Sequence, residues 1–326
     1  MLNNLVFSLN ATMPIFLMMV VGYILKKIKM LDERTTGVIN KLVFRLFLPA
    51  LLFSDLVSQD FIAIWDGGFV LFCFLSTLIS IAISAILSKI FGDSKSKGEF
   101  IQASYRSAAA TLGIAFMTNV YDNVSMVALM IIGCVPIYNI FAVLILSLTS
   151  PEGADAASDD KDIDTSSRNK IIIKTLKNIV TNPIIISIFA GAIWSLLKIP
   201  QPKIIFRGIE YLANVASPLA LIGLGASFEF KNVVDNLKSV VCVSFNKLVL
   251  FVIIFLPMCI FLGFRDEKIV AALIMLGSAT TSSSFIMAKN MGHEGKLTSC
   301  VVMITTLLSS FTLTLWLFIL KTIGVI

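Results

Sequence analysis

Residues 151–170 read PEGADAASDDKDIDTSSRNK, with six acidic side chains and almost nothing apolar. Such a stretch cannot bury enough surface to offset its ordering entropy, so it reads as a flexible aqueous loop. On both sides the chain changes character. A spanning helix needs about 20 mostly apolar residues, and five such segments precede the loop, at 5–28, 35–57, 67–91, 99–120 and 124–149. Five more follow it, at 171–198, 204–228, 237–263, 268–290 and 297–321. The expected organisation is a first five-helix half over 1–150, the loop over 151–170, and a second half over 171–326. The expected fold class is an all-α polytopic membrane protein with ten transmembrane helices.

Composition carries the same reading. Residues of the AVILMFWYC set make up 57% of the 326 positions and charged residues only 14%. Mean hydropathy is +0.93. Soluble domains carry about 25% charged residues, because their surface must be wetted, so water cannot be this chain's only solvent. The balance excludes a soluble enzyme, a disulfide scaffold, a disordered chain and a nucleic-acid binder. The net charge of +6 reads as topological, since Lys and Arg accumulate at the cytoplasmic ends of spans.

Cysteine and histidine narrow the chemistry further. Cys73, Cys134, Cys242, Cys259 and Cys300 sit in or beside apolar runs without a CxxC pair, and read as small buried hydrophobes. The single histidine, His293, falls in a polar turn beside Glu294. A zinc site and a Ser-His-Asp triad are thereby excluded, and neither metal nor cofactor is expected. The first apolar run lacks a basic n-region and an A-x-A cleavage site, so it reads as a mature helix.

Orientation follows from the distribution of Lys and Arg. One set of loops holds sixteen, in the groups Lys26 to Arg34, Lys89 to Lys97, Lys161 to Lys177, Lys231 with Lys238, and Lys289 with Lys296. The opposite side holds six: Lys198, Lys203, Arg207, Arg265, Lys268 and Lys321. The first set is then cytoplasmic. This places the protein in the cell membrane with both termini outside and loop 151–170 in the cytoplasm.

The halves repeat. Pro14, Gly22 and Pro49 are each followed, 169 positions later, by Pro183, Gly191 and Pro218. A second match, at an offset of 164, sets Leu112-Gly113-Ile114-Ala115 against Leu276-Gly277-Ser278-Ala279. Repeats of five spans each must insert in opposite senses, and inverted repeats are a mark of secondary transporters. Such proteins bind substrate where equivalent helices are broken near the bilayer midplane. Broken ends expose N–H groups and a positive dipole that suit an anion. The fourth and ninth segments are the candidates. In the fourth, Thr111, Gly113 and Ala115 mark the expected interruption. In the ninth, Gly277 is followed by Ser278, Ala279, Thr280, Thr281 and Ser282, with hydroxyls at six of the seven positions 278–284. Small-residue helix packing is the competing reading of both.

Cations inside the spans are Lys41, Arg45, Arg106 and Lys247, while Asp55, Glu99 and Asp122 lie near span ends. Several deep cations and few deep anions suit an anionic ligand. Lys247, near the centre of its span, serves either as an anion ligand or as an ion pair or carbonyl clamp holding the bundle. Arg106 binds the anion or snorkels to the cytoplasmic surface. In the fifth segment Pro136 frees a carbonyl beside Tyr138 and Asn139, which either shape a pocket or pack against the fourth helix. No carboxylate of comparable depth is visible to carry a proton.

At these residues the chain resembles a prokaryotic member of the auxin efflux carrier family, which includes plant PIN carriers and bacterial malate-permease-type proteins. The likeness rests on Leu48-Pro49-Ala50-Leu51-Leu52-Phe53, on Arg106 with Gly113, and on Pro136-Ile137-Tyr138-Asn139. Asn182-Pro183, Ser217-Pro218-Leu219-Ala220-Leu221 and Gly223 to Ser227 extend it, with Ala288-Lys289-Asn290-Met291-Gly292 and Thr305 to Ser309. It covers essentially the whole chain. The resemblance implies two inverted five-helix repeats and a homodimer formed through a scaffold of the first, second, sixth and seventh helices. It implies an elevator-like transport domain of the remaining helices, with a carboxylate bound where the fourth and ninth helices break and cross at prolines. Here those prolines read as Ala115 and Ala279, and an asparagine of the pattern as Ala108. Losing both prolines restores two N–H donors and removes the steric reason for each break. The function expected is secondary transport of a small organic anion. The alternative is a membrane receptor or sensor that keeps the fold without moving its ligand.

Overall fold

The computed structural model describes residues 2–57, 65–110, 125–150 and 179–326, with positions 112, 113, 117, 121 and 177 between them. Every regular element described is helical. In the first half these are α1 (Leu2–Lys27), α2 (Glu33–Val57), α3 (Gly67–Phe91), α4 (Lys97–Tyr105) and α5 (Ser125–Thr149). In the second half they are α6 (Pro183–Leu196), α7 (Lys203–Ser227), the short α8 (Phe230–Asp235), α9 (Leu237–Phe261), α10 (Glu267–Gly277), α11 (Ser282–Asn290) and α12 (Lys296–Thr322). Among the described residues seven stretches are long and apolar enough to cross a membrane, and α6 is a shorter apolar helix.

Local chemistry sets the ends. Asp32 and Asp66 are N-caps, accepting from Thr35 N at 2.7 Å and Phe69 N at 3.0 Å. Pro14 lies inside α1, whereas Pro183 opens α6, capped by Asn182 accepting from Ile184 N at 3.0 Å. The expected span 171–198 is therefore interrupted at Thr181–Asn182 before Pro183 restarts it. In α3, Ser76, Ser80 and Ser84 bond back to carbonyls four residues earlier, which satisfies a polar stripe inside an apolar helix. Turns of π-helix interrupt α2 at Val43–Phe47 and α9 at Asn246–Leu250.

Two packed groups result. Helices α1, α2, α6 and α7 lie against one another, while α3 packs on α4 and α5, and α9 packs on α10. Helix α12 runs between the groups and also contacts α1, where Thr12 Oγ1 and Ser310 Oγ stand 2.7 Å apart. Small residues bring backbones together in the first group. A Cβ on Gly22 would sit 2.1 Å from the carbonyl oxygen of Ile222, and one on Gly191 would sit 3.2 Å from that of Phe53. Gly191 lies 169 positions after Gly22, and Ile222 lies 169 after Phe53. The same contact is thus made twice, with the halves exchanging roles.

Candidate functional site

The fourth and ninth segments are both interrupted. Helix α4 ends at Tyr105, Arg106 turns extended at φ −72° and ψ 133°, and helical backbone resumes at Ala109. Helix α10 ends at Gly277, Ser278 turns extended at φ −79° and ψ 167°, and α11 begins at Ser282. The interruptions meet, with Ala108 N donating to Ala279 O at 2.8 Å. A first break therefore falls at Arg106–Ala108, ahead of the place expected at Gly113. Gly113 lies in helical backbone past the break and packs on Val127, while Gly277 is the last residue before one and packs on Val252. Gly113 and Gly277, matched at offset 164, thus stand at different places relative to the breaks, while Ile114 lies outside the described residues. Thr111 and Ala115 lie outside the described residues.

Tertiary contacts do what proline would have done. Helix ends leave their last carbonyls unpaired. Here Lys247 Nζ donates to Tyr105 O at 3.4 Å, Met275 O at 3.2 Å and Leu276 O at 3.1 Å. The ammonium's three donors match three carbonyls from the ends of α4 and α10. Lys247 is 1% exposed. Of the two sequence readings, the geometry is that of the carbonyl clamp.

Arg106, 2% exposed, sits on the other side of the break. Its Nη2 donates to Asn139 Oδ1 and Ser283 Oγ, both at 2.8 Å, and its Nη1 to the Met287 thioether at 2.7 Å. Nε is buried without a partner. The side chain is packed inside the protein rather than reaching to a surface. Among the described residues no carboxylate forms an ion pair with Arg106 or Lys247. Lys41 and Arg45, in contrast, are exposed on α2.

The hydroxyl stretch divides. Thr280 is structural, donating from Oγ1 to Ala103 O at 2.8 Å and from N to Thr305 Oγ1 at 3.1 Å. Ser278 Oγ is buried without a partner. Thr281 caps α11 without a side-chain cap bond, its hydroxyl lying 3.2 Å from Ser283 Oγ. Thr281, Ser282 and Ser283 are half-buried, at the N-terminal end of α11 and beside Arg106. Tyr138 takes a 3.3 Å contact from Ser107 Oγ and donates to Met275 O at 3.3 Å, so it ties α5 to both interruptions.

Sequence reasoning missed Gln102 and Met287, and gave no role to Ser283 and Ser284 within the hydroxyl run. Gln102 donates to Ser284 O at 2.9 Å, leaving Gln102 Oε1 and Ser284 Oγ buried and unpartnered. Ser283 and Met287 hold Arg106. Gln102 stands four residues before Arg106, the spacing that puts two side chains on one helix face, and that was the available signal. Glu99 lies near the span end, as expected, but inside the protein. It is 1% exposed, accepting at Oε1 from Gly295 N at 2.8 Å and at Oε2 from Thr298 N at 2.9 Å and Thr298 Oγ1 at 3.0 Å. This carboxylate fills the N-terminal end of α12. His293, packed against Gly98, lies 3.0 Å from Leu146 O through Nε2.

A cleft of about 690 Å³ opens between the ends of α1, α2 and α7 and the loop joining α11 to α12. Lys26, Lys41, Lys289 and Lys296 line it with Glu33, Glu229 and Glu294, and Asn290 Nδ2 bridges it to Asn40 O at 3.1 Å. Among the described residues no group of three His, Cys, Asp or Glu could hold a metal ion.

A family model described as "Membrane transport protein" matches residues 7–317. An "Uncharacterized transporter" of Methanothermobacter thermautotrophicus is 20% identical over 313 residues, 95% of this chain and 97% of the relative. A "Putative malonate transporter" of Rhizobium meliloti is 23% identical over 319 residues, 95% of this chain and 94% of the relative.

Proposed function

Because the chain belongs to the membrane transport protein family, the auxin efflux carrier type that its sequence resembles, we propose that it is a secondary transporter of a small organic anion, a carboxylate. The observation that carries this reading is Arg106. A buried guanidinium without an acidic partner is costly, and here it faces the N-terminal end of α11 with Nε still unpaired. A carboxylate held between them would receive charge-assisted hydrogen bonds from Arg106 and the positive end of a helix. Asn139, Ser283 and the hydroxyls of Thr281 and Ser282 would set its position. Lys247 contributes field rather than contact, its donors being spent on carbonyls.

The exchanged contacts Gly22–Ile222 and Gly191–Phe53 support two inverted five-helix repeats, ten spans in all, with α1, α2, α6 and α7 as scaffold. The crossed interruptions would then ride in a transport domain that shifts against the scaffold in the manner of an elevator. The cleft beside Lys41 and Lys289 would be its cytoplasmic entrance, the termini lying outside and the scaffold pairing two copies. The malonate named for the Rhizobium relative makes short dicarboxylates the first substrates to try.

Counterflow in proteoliposomes tests the reading. Vesicles preloaded with unlabelled malonate and other carboxylates are expected to accumulate labelled substrate saturably. Arg106→Gln, judged folded by its melting curve, is expected to lose affinity by about 10- to 100-fold, the worth of hydrogen bonds to a charged group. Undiminished counterflow in that variant would remove Arg106 from the binding site. Absence of counterflow in folded wild type would remove the transporter of carboxylates.

A further inference from the structure

The site around Lys247 has the makings of a cation site independent of any substrate. Three backbone carbonyls, Tyr105 O, Met275 O and Leu276 O, converge on one point at 3.1 to 3.4 Å from Nζ. They end α4 and α10, and each helix terminus carries roughly half a negative charge, so the two together carry about one. Thr77, Ser80, Tyr138 and Phe251 complete the walls, leaving no room for a water molecule. Thr77 is 2% exposed and its Oγ1 has no hydrogen-bond partner, so a fourth oxygen borders the same space unused. Carbonyl and hydroxyl oxygens gathered in this way are the donor set of a bare monovalent cation. The chain supplies such a cation itself, from a π turn in α9.

We propose that the Lys247 ammonium is the resident cation of the crossing, and that removing it leaves a site for one small monovalent cation, with Thr77 among the ligands. Oxygens standing this far from the cation suit ammonium or potassium better than the smaller sodium ion. With the ammonium in place the crossing holds its geometry in a medium free of small inorganic cations. This inference rests on the helix ends alone and stands whether or not the anion reading does.

Melting curves in detergent, at constant ionic strength and without substrate, test it. Wild type is expected to melt at one temperature in choline, sodium, potassium, ammonium and methylammonium chloride. Lys247→Ala is expected to melt lower in choline and to regain stability saturably in ammonium or potassium, more than in sodium. Thr77→Val added to that variant is expected to raise the half-saturating concentration several-fold. A folded Lys247→Ala that melts alike in all five salts overturns the proposal. If that variant folds in no salt, wild type decides: unchanged melting in choline supports the resident cation, and loss of stability when potassium and sodium are withdrawn overturns it.

Discussion

The amide of Ala108 donates to the carbonyl of Ala279 at 2.8 Å, so the two interrupted helices are joined through their own backbones. Neither break needs a proline, because each extended segment finds its partner in the other. Ala108→Pro would remove the donor and strand a buried carbonyl, a loss of about 1–3 kcal/mol. Ala279→Pro keeps the acceptor in place. Melting curves of the two variants are expected to differ, with Ala108→Pro the lower; equal curves would show that this bond contributes nothing.

The paired glycines make an unequal prediction from related contacts. A Cβ at Gly22 must push the Ile222 backbone from 2.1 Å, whereas one at Gly191 meets Leu56 Cβ at 3.1 Å and Phe53 O at 3.2 Å. Gly22→Ala is expected to cost at least the 1–3 kcal/mol typical of overpacking, and Gly191→Ala less. Unfolding of each purified variant in a denaturant series measures the difference, and the reverse order would contradict the packing.

Glu99 accepts from Gly295 and Thr298 with both carboxylate oxygens. A glutamine offers one oxygen, so one backbone donor at the start of α12 is left unpaired. Glu99→Gln is expected to lose about 1.5–3 kcal/mol, the worth of a hydrogen bond to a charged group. Glu99→Ala should lose more. Protection of the Gly295 and Thr298 amides from hydrogen exchange reports the effect locally, and unchanged protection in both variants would refute it.

Asp66 pairs with Lys268 and accepts from Phe69 N, and these contacts, Lys268 first, hold its carboxyl below the ordinary value of 3.8. The native value lies below the unfolded one, so the contribution is fully present above the ordinary carboxylate range and fades as pH falls through the native value. The melting gap between wild type and Asp66→Asn is expected to be flat from pH 5 to 8 and to shrink below about pH 4. The pair is partly exposed, so added salt should narrow the gap too. A gap that widens on acidification would contradict the assignment.

The seven spans that the described residues contain were legible in the sequence, since runs of about 20 apolar residues admit few other readings. The place of the break in the fourth segment was not. Ala108, Ala109 and Ala110 carry no breaking signal, and what ends α4 arrives from elsewhere, from Lys247 at 142 positions from Tyr105 and from Ala279. The hydroxyl stretch was found, but not which of its members are spent, because Thr280 is occupied by a carbonyl 177 positions away. Glu99 was placed near a span end, but its burial was not legible. The loop Gly292–Gly295 folds over it, and nothing in the local pattern announces that.

Lys247 and the ends of α4 and α10 come close to electrical neutrality, but Arg106 meets no acidic partner among the described residues. A transport domain of the kind proposed, carrying this unit through the bilayer, would therefore be asymmetric in voltage. Empty, it drags one fixed positive charge, on which 100 mV acts with about 2.3 kcal/mol for a full crossing, roughly fiftyfold in population. A monocarboxylate makes the loaded stroke electrically silent and leaves the potential to govern the empty return. A dicarboxylate would reverse the sign of the loaded unit, so that one potential would assist both strokes of a cycle in one direction and oppose both in the other.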